Sequence, residues 1–410
     1  MNAPNLLPVE EARARVLSGP CPRGQERVPL ADALGRTLAM PLIARRTQPP
    51  FAASAMDGFA LKAGDAAALP ARLKIVGESA AGRGFAGTLH HGEAVRIFTG
   101  APVPPGADAV LMQEDATLAG DIVMIEREVA EGRHIRAIGI DFNDGETLLP
   151  AGKRLGPIDI ALAAASGHPD LVVTRKPRVA ILATGDELVK PGEATGADQI
   201  VASNSFAISA FVRDAGGEAI DLGIARDDFA ALEAAVAKAR AAEADVLVTL
   251  GGASVGQHDL VRSALAKEGM ELDFWRIAMR PGKPLIHGAL GPMQILGLPG
   301  NPASAIVCAL LFLMPLLRKL SGDPRAADDP SEPAILGTDV AANGLRTDYL
   351  RATLRQRETG LPVATPHDSQ DSSLLRVFAQ SQGLLVRPPH APAGVAGDLC
   401  RVIKLSPLLT

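Results

Sequence analysis

The spacing of apolar and polar positions changes character along the chain, and one run anchors the pattern. Residues 246–250 (VLVTL) are apolar or β-branched without alternation, as in a strand buried on both faces. This run empties into GGASVGQHD at 251–259, and residues 260–269 then take helical spacing and stop at a glycine. The same strand–helix rhythm holds from 177 to 322. Strands are predicted at 179–184, 219–224 and around 274–278, 285–287 and 294–298. Helices are predicted at 205–215, 228–242 and across the apolar run 303–317. Alternation of this kind predicts a three-layer α/β domain with a mostly parallel sheet covered on both faces.

The flanks read differently. Residues 8–18 have a helical pattern, 30–34 are a second candidate helix, and 39–44 are more extended. Short β-like runs at 73–76, 94–98, 109–112 and 122–125, separated by Gly or Pro turns, predict a small β domain. The alanine-rich helical stretch at 158–166 is expected to pack with the first 50 residues, which makes that β domain an insertion. After an Asp- and Pro-rich linker at 323–333, β-like runs at 349–354, 384–386 and 399–403 predict a small all-β module. The expected division is 1–50 with 138–176, then 51–137, 177–322 and 323–410.

Composition narrows the function. At 410 residues several domains are expected. A net charge of -5 is mild and argues against wholesale nucleic-acid binding, which needs a basic face. The three cysteines, Cys21, Cys308 and Cys400, lie far apart without a pairing or zinc motif, which points to a reducing compartment, the cytoplasm. The first residues carry acids and no long apolar core, so they do not read as a secretory signal. The run 303–317 contains Pro315 and is too short to span a bilayer, so a buried helix and no membrane association are expected.

Chemistry gathers at the ends of the predicted parallel strands, where ligands bind in such sheets. Gly251, Gly252 and Gly256 leave amides bare for an anion, and Asn301–Pro302 is a helix start with an N-cap residue and a proline at the first position. Arg280 and Lys283 flank a rigid Pro–Gly bend between them. Thr184, Gly185, Asp186 and Glu187 (TGDEL with Leu188) end a third strand. Asp259 can cap its helix, serve a metal or base role, or both. Carboxylates beside phosphates mean a bridging divalent cation. From the residues alone the reading is a phosphate-bearing ligand with a divalent cation. Gly252–Gly256 (GASVG) also matches the nucleophile elbow of α/β hydrolases, with Ser254 as nucleophile. The following helix starts five residues after Ser254, whereas an elbow serine runs almost directly into its helix, and the best downstream pair is Asp273 with His287. Asp57 in SAMDGFA reads as an Asp-Gly turn, and FTGAPVPPG at 98–106 as a stiff loop holding Thr99.

Seven stretches occur in an order that resembles the molybdopterin molybdenumtransferase family, the bacterial MoeA and gephyrin E-domain type. They are SAMDGFA at 54–60, FTGAPVPPGADAV at 98–110, RAIGIDF at 136–142, TGDEL at 184–188, GGASVGQHD at 251–259, RPGKP at 280–284 and GLPGNPAS at 297–304. The resemblance covers nearly the whole chain. It implies an elongated discontinuous segment, an inserted β domain, an α/β domain similar to the pterin-adenylating (MogA-like) domains, and a C-terminal β-barrel. It also implies a homodimer whose site lies between subunits.

The implied reaction is insertion of molybdate at the dithiolene of adenylated molybdopterin with release of AMP, assisted by Mg²⁺. A water or molybdate oxygen would attack the phosphoanhydride as Mo–S bonds form. On this resemblance, Glu187, Asp227 and Asp259 place the metal or orient water. Arg280, Lys283 and Ser304 hold molybdate, and Arg351 and Ser372 match barrel positions reaching the molybdate region. Pro299, Gly300, Asn301 and Pro302 receive the nucleotide phosphates. Asp57, Thr99, Arg136 and Asp141 match catalytic positions reaching the site across the dimer. The adenylating enzyme and molybdoenzyme acceptors are implied as protein partners. Two departures stand out: Arg280 replaces a usual lysine, and Phe59 a usual tyrosine. The alternatives are a MogA-like molybdopterin adenylyltransferase, the serine hydrolase, and a non-enzymatic scaffold.

Overall fold

The structure is a computed structural model that describes residues 6–252 and 260–405. The chain divides into two compact units. One comprises Met1–Glu26, Gly35–Ala39 and Val173–Thr410; the other comprises Arg27–Leu34 and Met40–Val172.

In the first unit, six strands lie in the order Glu218–Ala225, Arg178–Thr184, Val246–Leu250, Met293–Leu298, Pro284–Leu290 and Glu271–Arg276. The first four are mutually parallel and the last two run antiparallel. Strand side chains alternate between two cores. Val246, Val248 and Leu250 join Ile208, Phe211, Ile306 and Val307 on one face. Leu247 joins Leu232, Val236, Val261 and Leu265 on the other. A sheet covered on both faces explains why 246–250 carries no polar alternation. The helix Val9–Ser18 adds Val9, Ala12 and Val16 to the first of these cores.

The apolar run near 303–317 becomes helix from Pro302 to Leu320, with a π-helical turn at Ala309–Leu313 just before Pro315. At 19 residues it is long and apolar enough to cross a membrane, contrary to the length expected from sequence. Its most apolar window is 78% buried inside the protein, which makes it a core helix.

The C-terminal strands close a barrel. Thr347–Arg355 pairs with Val363–Pro366, then Ser331–Leu336, Leu399–Lys404 and Gly383–Arg387 follow, and the last pairs back with the first. Closure leaves no free edge among these five strands. Ser331–Leu336 begins inside the stretch read as linker, and its polar start, Ser331–Glu332 between Pro330 and Pro333, hid it. Met279–Arg280 adds outside the ring, parallel to Thr347–Asp348.

The second unit holds another six-stranded sheet, in the order Ala109–Met112, Gly58–Leu61, Glu93–Ile97, Ala71–Ser79, Ile122–Ile125 and Ala116–Ala119. Gly58–Leu61, read as the tail of a flexible turn, is an interior strand paired on both sides. Gly58 is forced there: a Cβ would lie 1.8 Å from the Leu111 carbonyl oxygen. The candidate helix at 30–34 is only a 3-10 turn, Leu30–Asp32, too short to propagate an α-helix. Helix Pro157–Ala165 lies where expected.

Helix Phe229–Ala241 begins at Asp228, whose Oδ1 accepts from the Ala231 amide at 2.7 Å. Asp228→Ala removes that acceptor and costs about 1 kcal/mol of stability, whereas Asp228→Asn keeps it. Denaturant unfolding is expected to show a lower midpoint for the alanine variant alone.

Candidate functional site

The parallel strands end in register. Ala183 stands beside Leu250, and Leu250 beside Leu298. The three following loops are therefore delivered to one rim. They line a cleft of about 540 Å³. Thr184, Gly185 and Glu187 contribute from the first loop, Gly251 and Gly252 from the second, and Pro299, Gly300, Asn301 and Pro302 from the third. Packing between loops is close. Gly251 sits at φ 98°, and a Cβ there would approach the Thr184 carbonyl oxygen to 2.6 Å. Gly185 at φ 146° lies under the Glu187 carboxylate, 2.4 Å from where its own Cβ would be.

Acids collect at this rim. Asp227 also lines the cleft. Its carboxyl is held above the usual range by burial and by the negative charges of Asp186 and Glu187. The Asp227 amide donates to Asp186 Oδ1 at 3.5 Å. Like charges are thus crowded at this rim. Among the described residues no group of three His, Cys, Asp or Glu side chains is disposed to hold a metal. Ser254, Gly256 and Asp259 lie outside the described residues.

The third loop differs from expectation. Asn301 makes no capping bond. Its Nδ2 donates instead to Ser372 Oγ at 3.0 Å, and the Ala303 amide donates to the Ser372 carbonyl at 3.0 Å. A turn of the barrel thus takes one of the amides expected to meet a phosphate. Ser373, the neighbour of the expected Ser372, lines the cleft. Ser304 is buried in the helix's first turn and is not a lining residue.

The two cations of RPGKP have different fates. Arg280 forms a fork with Asp348 of the barrel, Nε to Oδ1 at 2.9 Å and Nη2 to Oδ2. Asp348 is buried. Lys283 precedes Pro284, which lines the cleft. Arg351 is 1% exposed. Its Nη1 donates to the Asp371 and Leu374 carbonyls at 2.8 and 3.4 Å, and its Nε and amide donate to Gln370 Oε1 at 3.2 and 2.9 Å. This residue braces the turn that carries Ser372, and its side chain is buried within the barrel.

Sequence reasoning missed part of the wall. Leu188, Ile200, Val201, Ser203, Asn204 and Ser205 also line the cleft. Asn204 Nδ2 donates to the Gly300 carbonyl at 2.6 Å. The Ser-Asn-Ser start of that helix was the available signal; the predicted boundary at 205 fell one residue late. Asp273 and His287 do share a hydrogen bond at 3.0 Å. His287 is buried and stands beside Leu296 within the sheet, away from the rim residue Leu298.

The chain matches three family descriptions in order. They are the MoeA N-terminal region (domain I and II) over residues 7–167, the probable molybdopterin binding domain over 180–319, and the MoeA C-terminal region (domain IV) over 333–405. A molybdopterin molybdenumtransferase of Haemophilus influenzae is 34% identical over 98% of this chain and 100% of its own length. One from Nostoc is 37% identical over 88% and 85%. The crystal structure of the molybdopterin biosynthesis MoeA protein of Pyrococcus horikoshii matches with TM-score 0.82 and 32% identity, covering 98% of this chain and 99% of that one. The chain belongs to the molybdopterin molybdenumtransferase family. It is therefore an enzyme of molybdenum cofactor biosynthesis, and molybdopterin and molybdate are its substrate class. The family assignment removes the serine hydrolase reading.

Four further positions expected from the molybdenumtransferase pattern lie in the second unit. Asp57 Oδ1 accepts from both the amide and the hydroxyl of Thr99, each at 2.7 Å. These bonds, the amide first, hold the Asp57 carboxyl below its usual range. Arg136 is exposed on a two-residue strand opposite Ala53, and Asp141 is exposed beyond it. Phe59 is buried under the Arg96 guanidinium, 4.8 Å from the ring centroid, so the position needs no hydroxyl for its packing.

Asp227 gives a testable sign. Its folded-state proton affinity is raised, so its ionisation weakens the fold at neutral pH, and the penalty fades as pH falls through the folded pKa. Asp227→Asn is expected to raise the melting temperature at pH 7 and not at pH 4, while lowering activity. Thermal melts at the two pH values check this.

Proposed function

We propose that this chain transfers molybdenum from molybdate to adenylated molybdopterin and releases AMP, with Mg²⁺ assisting. The observation that carries the reading is the convergence of three strand-end loops on one cleft that combines glycine turns with mutually repelling acids. The phosphates of the nucleotide would lie against Gly251, Gly252 and the Pro299–Gly300–Asn301–Pro302 turn. Lys283, and the Arg280 Nη1 left over from the Asp348 fork, would draw molybdate by charge, with the Ser372–Ser373 turn supplying hydroxyl partners. Glu187, Asp227 and Asp259 would hold the divalent cation. When bound, that ion neutralises charge on the phosphoanhydride. Arg351 would act by fixing the turn that carries Ser372. Positioning and electrostatics would supply most of the rate.

The same reading includes a second copy of the chain. In the second unit Met40, Ile43, Ile138, Ile140 and Ile158 are 47–81% exposed, which is unusual apolar display for one region. We propose that they meet a partner subunit, and that Asp57, Thr99, Arg136 and Asp141 serve the partner's cleft. The adenylating enzyme and molybdoenzymes are the proposed protein partners. Free cysteines at 21, 308 and 400 accord with a cytoplasmic location.

Two measurements test this. Incubation with adenylated molybdopterin, Mg²⁺ and molybdate is expected to release AMP only when molybdate is present. Consumption of ATP with no molybdate dependence would instead indicate adenylation. In light scattering, the wild type is expected at twice the chain mass of 42.5 kDa, and an Ile140→Asp/Ile158→Asp variant at the chain mass. A wild-type monomer would remove the partner-subunit roles of Asp57, Thr99, Arg136 and Asp141.

A further inference from the structure

The cleft has one wall that phosphate or molybdate chemistry does not explain. Leu188–Val189 and Ile200–Val201 form a parallel ribbon, with Leu188 beside Ile200 and Val189 beside Val201. The Ile200 amide donates to the Glu187 carbonyl at 2.8 Å, and the Ala202 amide to the Val189 carbonyl at 2.9 Å. Side chains of adjacent strands at the same register share a face, and successive residues alternate. Leu188 and Ile200 therefore stand on one face, and both line the cleft. Ile200 is 58% exposed and Leu188 partly so; on the other face Val189 is 9% exposed, and Val201, 44% exposed at the ribbon's end, also lines the cleft. Among the described residues, neither Leu188 nor Ile200 belongs to a core cluster. A paired aliphatic surface at the mouth of a polar cavity suits a flat ring and repels a bare oxyanion.

We infer that Leu188 and Ile200 form an aliphatic ledge that takes the face of a heteroaromatic ring of the substrate, next to the acid Glu187. The inference rests on the proposed nucleotide–pterin reading of this cleft. The ring is either the adenine or the pterin, which share planarity and an apolar face. The ledge selects for the ring, and the glycine turns select for the phosphates attached to it. It places ring recognition on the first rim loop, and phosphate recognition on the second and third.

The test is calorimetric titration of AMP, a pterin monophosphate and ring-free ribose 5-phosphate into wild type, Ile200→Ser, Leu188→Ser, Ile200→Leu and, as a cleft control, Asn301→Ala. The serine variants are expected to lose about tenfold in affinity for at least one ring-bearing ligand. Ribose 5-phosphate binding should be unchanged, and Ile200→Leu should bind like wild type. Weakening of AMP alone assigns the ledge to adenine, and of the pterin alone to pterin. Unchanged binding of both ring ligands by the serine variants, with loss in Asn301→Ala, overturns the ledge and leaves the cleft reading intact. Equal loss of all three ligands overturns ring recognition, because the ribbon then only shapes the cleft. Failure of wild type to bind any of the three overturns the cleft reading, and the ledge with it.

Discussion

The common register of three parallel strands is the constraint on which the cleft depends. Ala183, Leu250 and Leu298 end level because their strands are buried on both faces. A slip of one residue would turn Val246, Val248 and Leu250 out of one core and Leu247 out of the other. The burial on both faces that stabilises the sheet is thus the same feature that brings Gly185, Gly251 and Gly300 together. The chemistry is carried by loops, but their mutual placement is set by packing beneath them.

A second level of order comes from the barrel. The Arg280–Asp348 fork and the backbone pairing of Met279–Arg280 with Thr347–Asp348 join barrel to sheet. The Ser372 turn then reaches the helix start at Asn301. Arg351 holds that turn from behind through the Asp371 and Leu374 carbonyls. The side chain is nearly inaccessible, so its contribution near the rim is geometric. An arginine in place of lysine at 280 makes physical sense here, because only a guanidinium offers two parallel donors to one carboxylate and keeps another for a ligand.

How much of this was legible depended on range. The strand at 246–250 and the helix at 260–267 were readable because apolar runs and glycine stops are local signals. The convergence of TGDEL, Gly251–Gly252 and Pro299–Pro302 followed from strand order in an α/β sheet. Three features were hidden. Gly58–Leu61 looked like a turn because its burial comes from neighbours at 97 and 111, distant in sequence. Asp348 carries no sign in TDYLR that it will be buried against Arg280. The Leu188–Ile200 ledge joins two dipeptides across a polar loop, and neither is long enough to show a period. Asn301 illustrates a different limit: its type fits a cap, but the Ser372 carbonyl of the barrel takes the Ala303 amide that a cap oxygen would accept from.

The Asn301–Ser372 bond spans 71 positions of the chain, and the Arg280–Asp348 fork spans 68. Each ties a residue beside the six-stranded sheet to one in the barrel. The two modules therefore cannot drift independently over generations. A change at 280 that leaves 348 as aspartate strands a buried carboxylate, and a change at 372 frees the Asn301 carboxamide at the mouth of the cleft. Among descendants of a common ancestor, these pairs are expected to be replaced together, and barrels exchanged between relatives should work best when both partners travel with them.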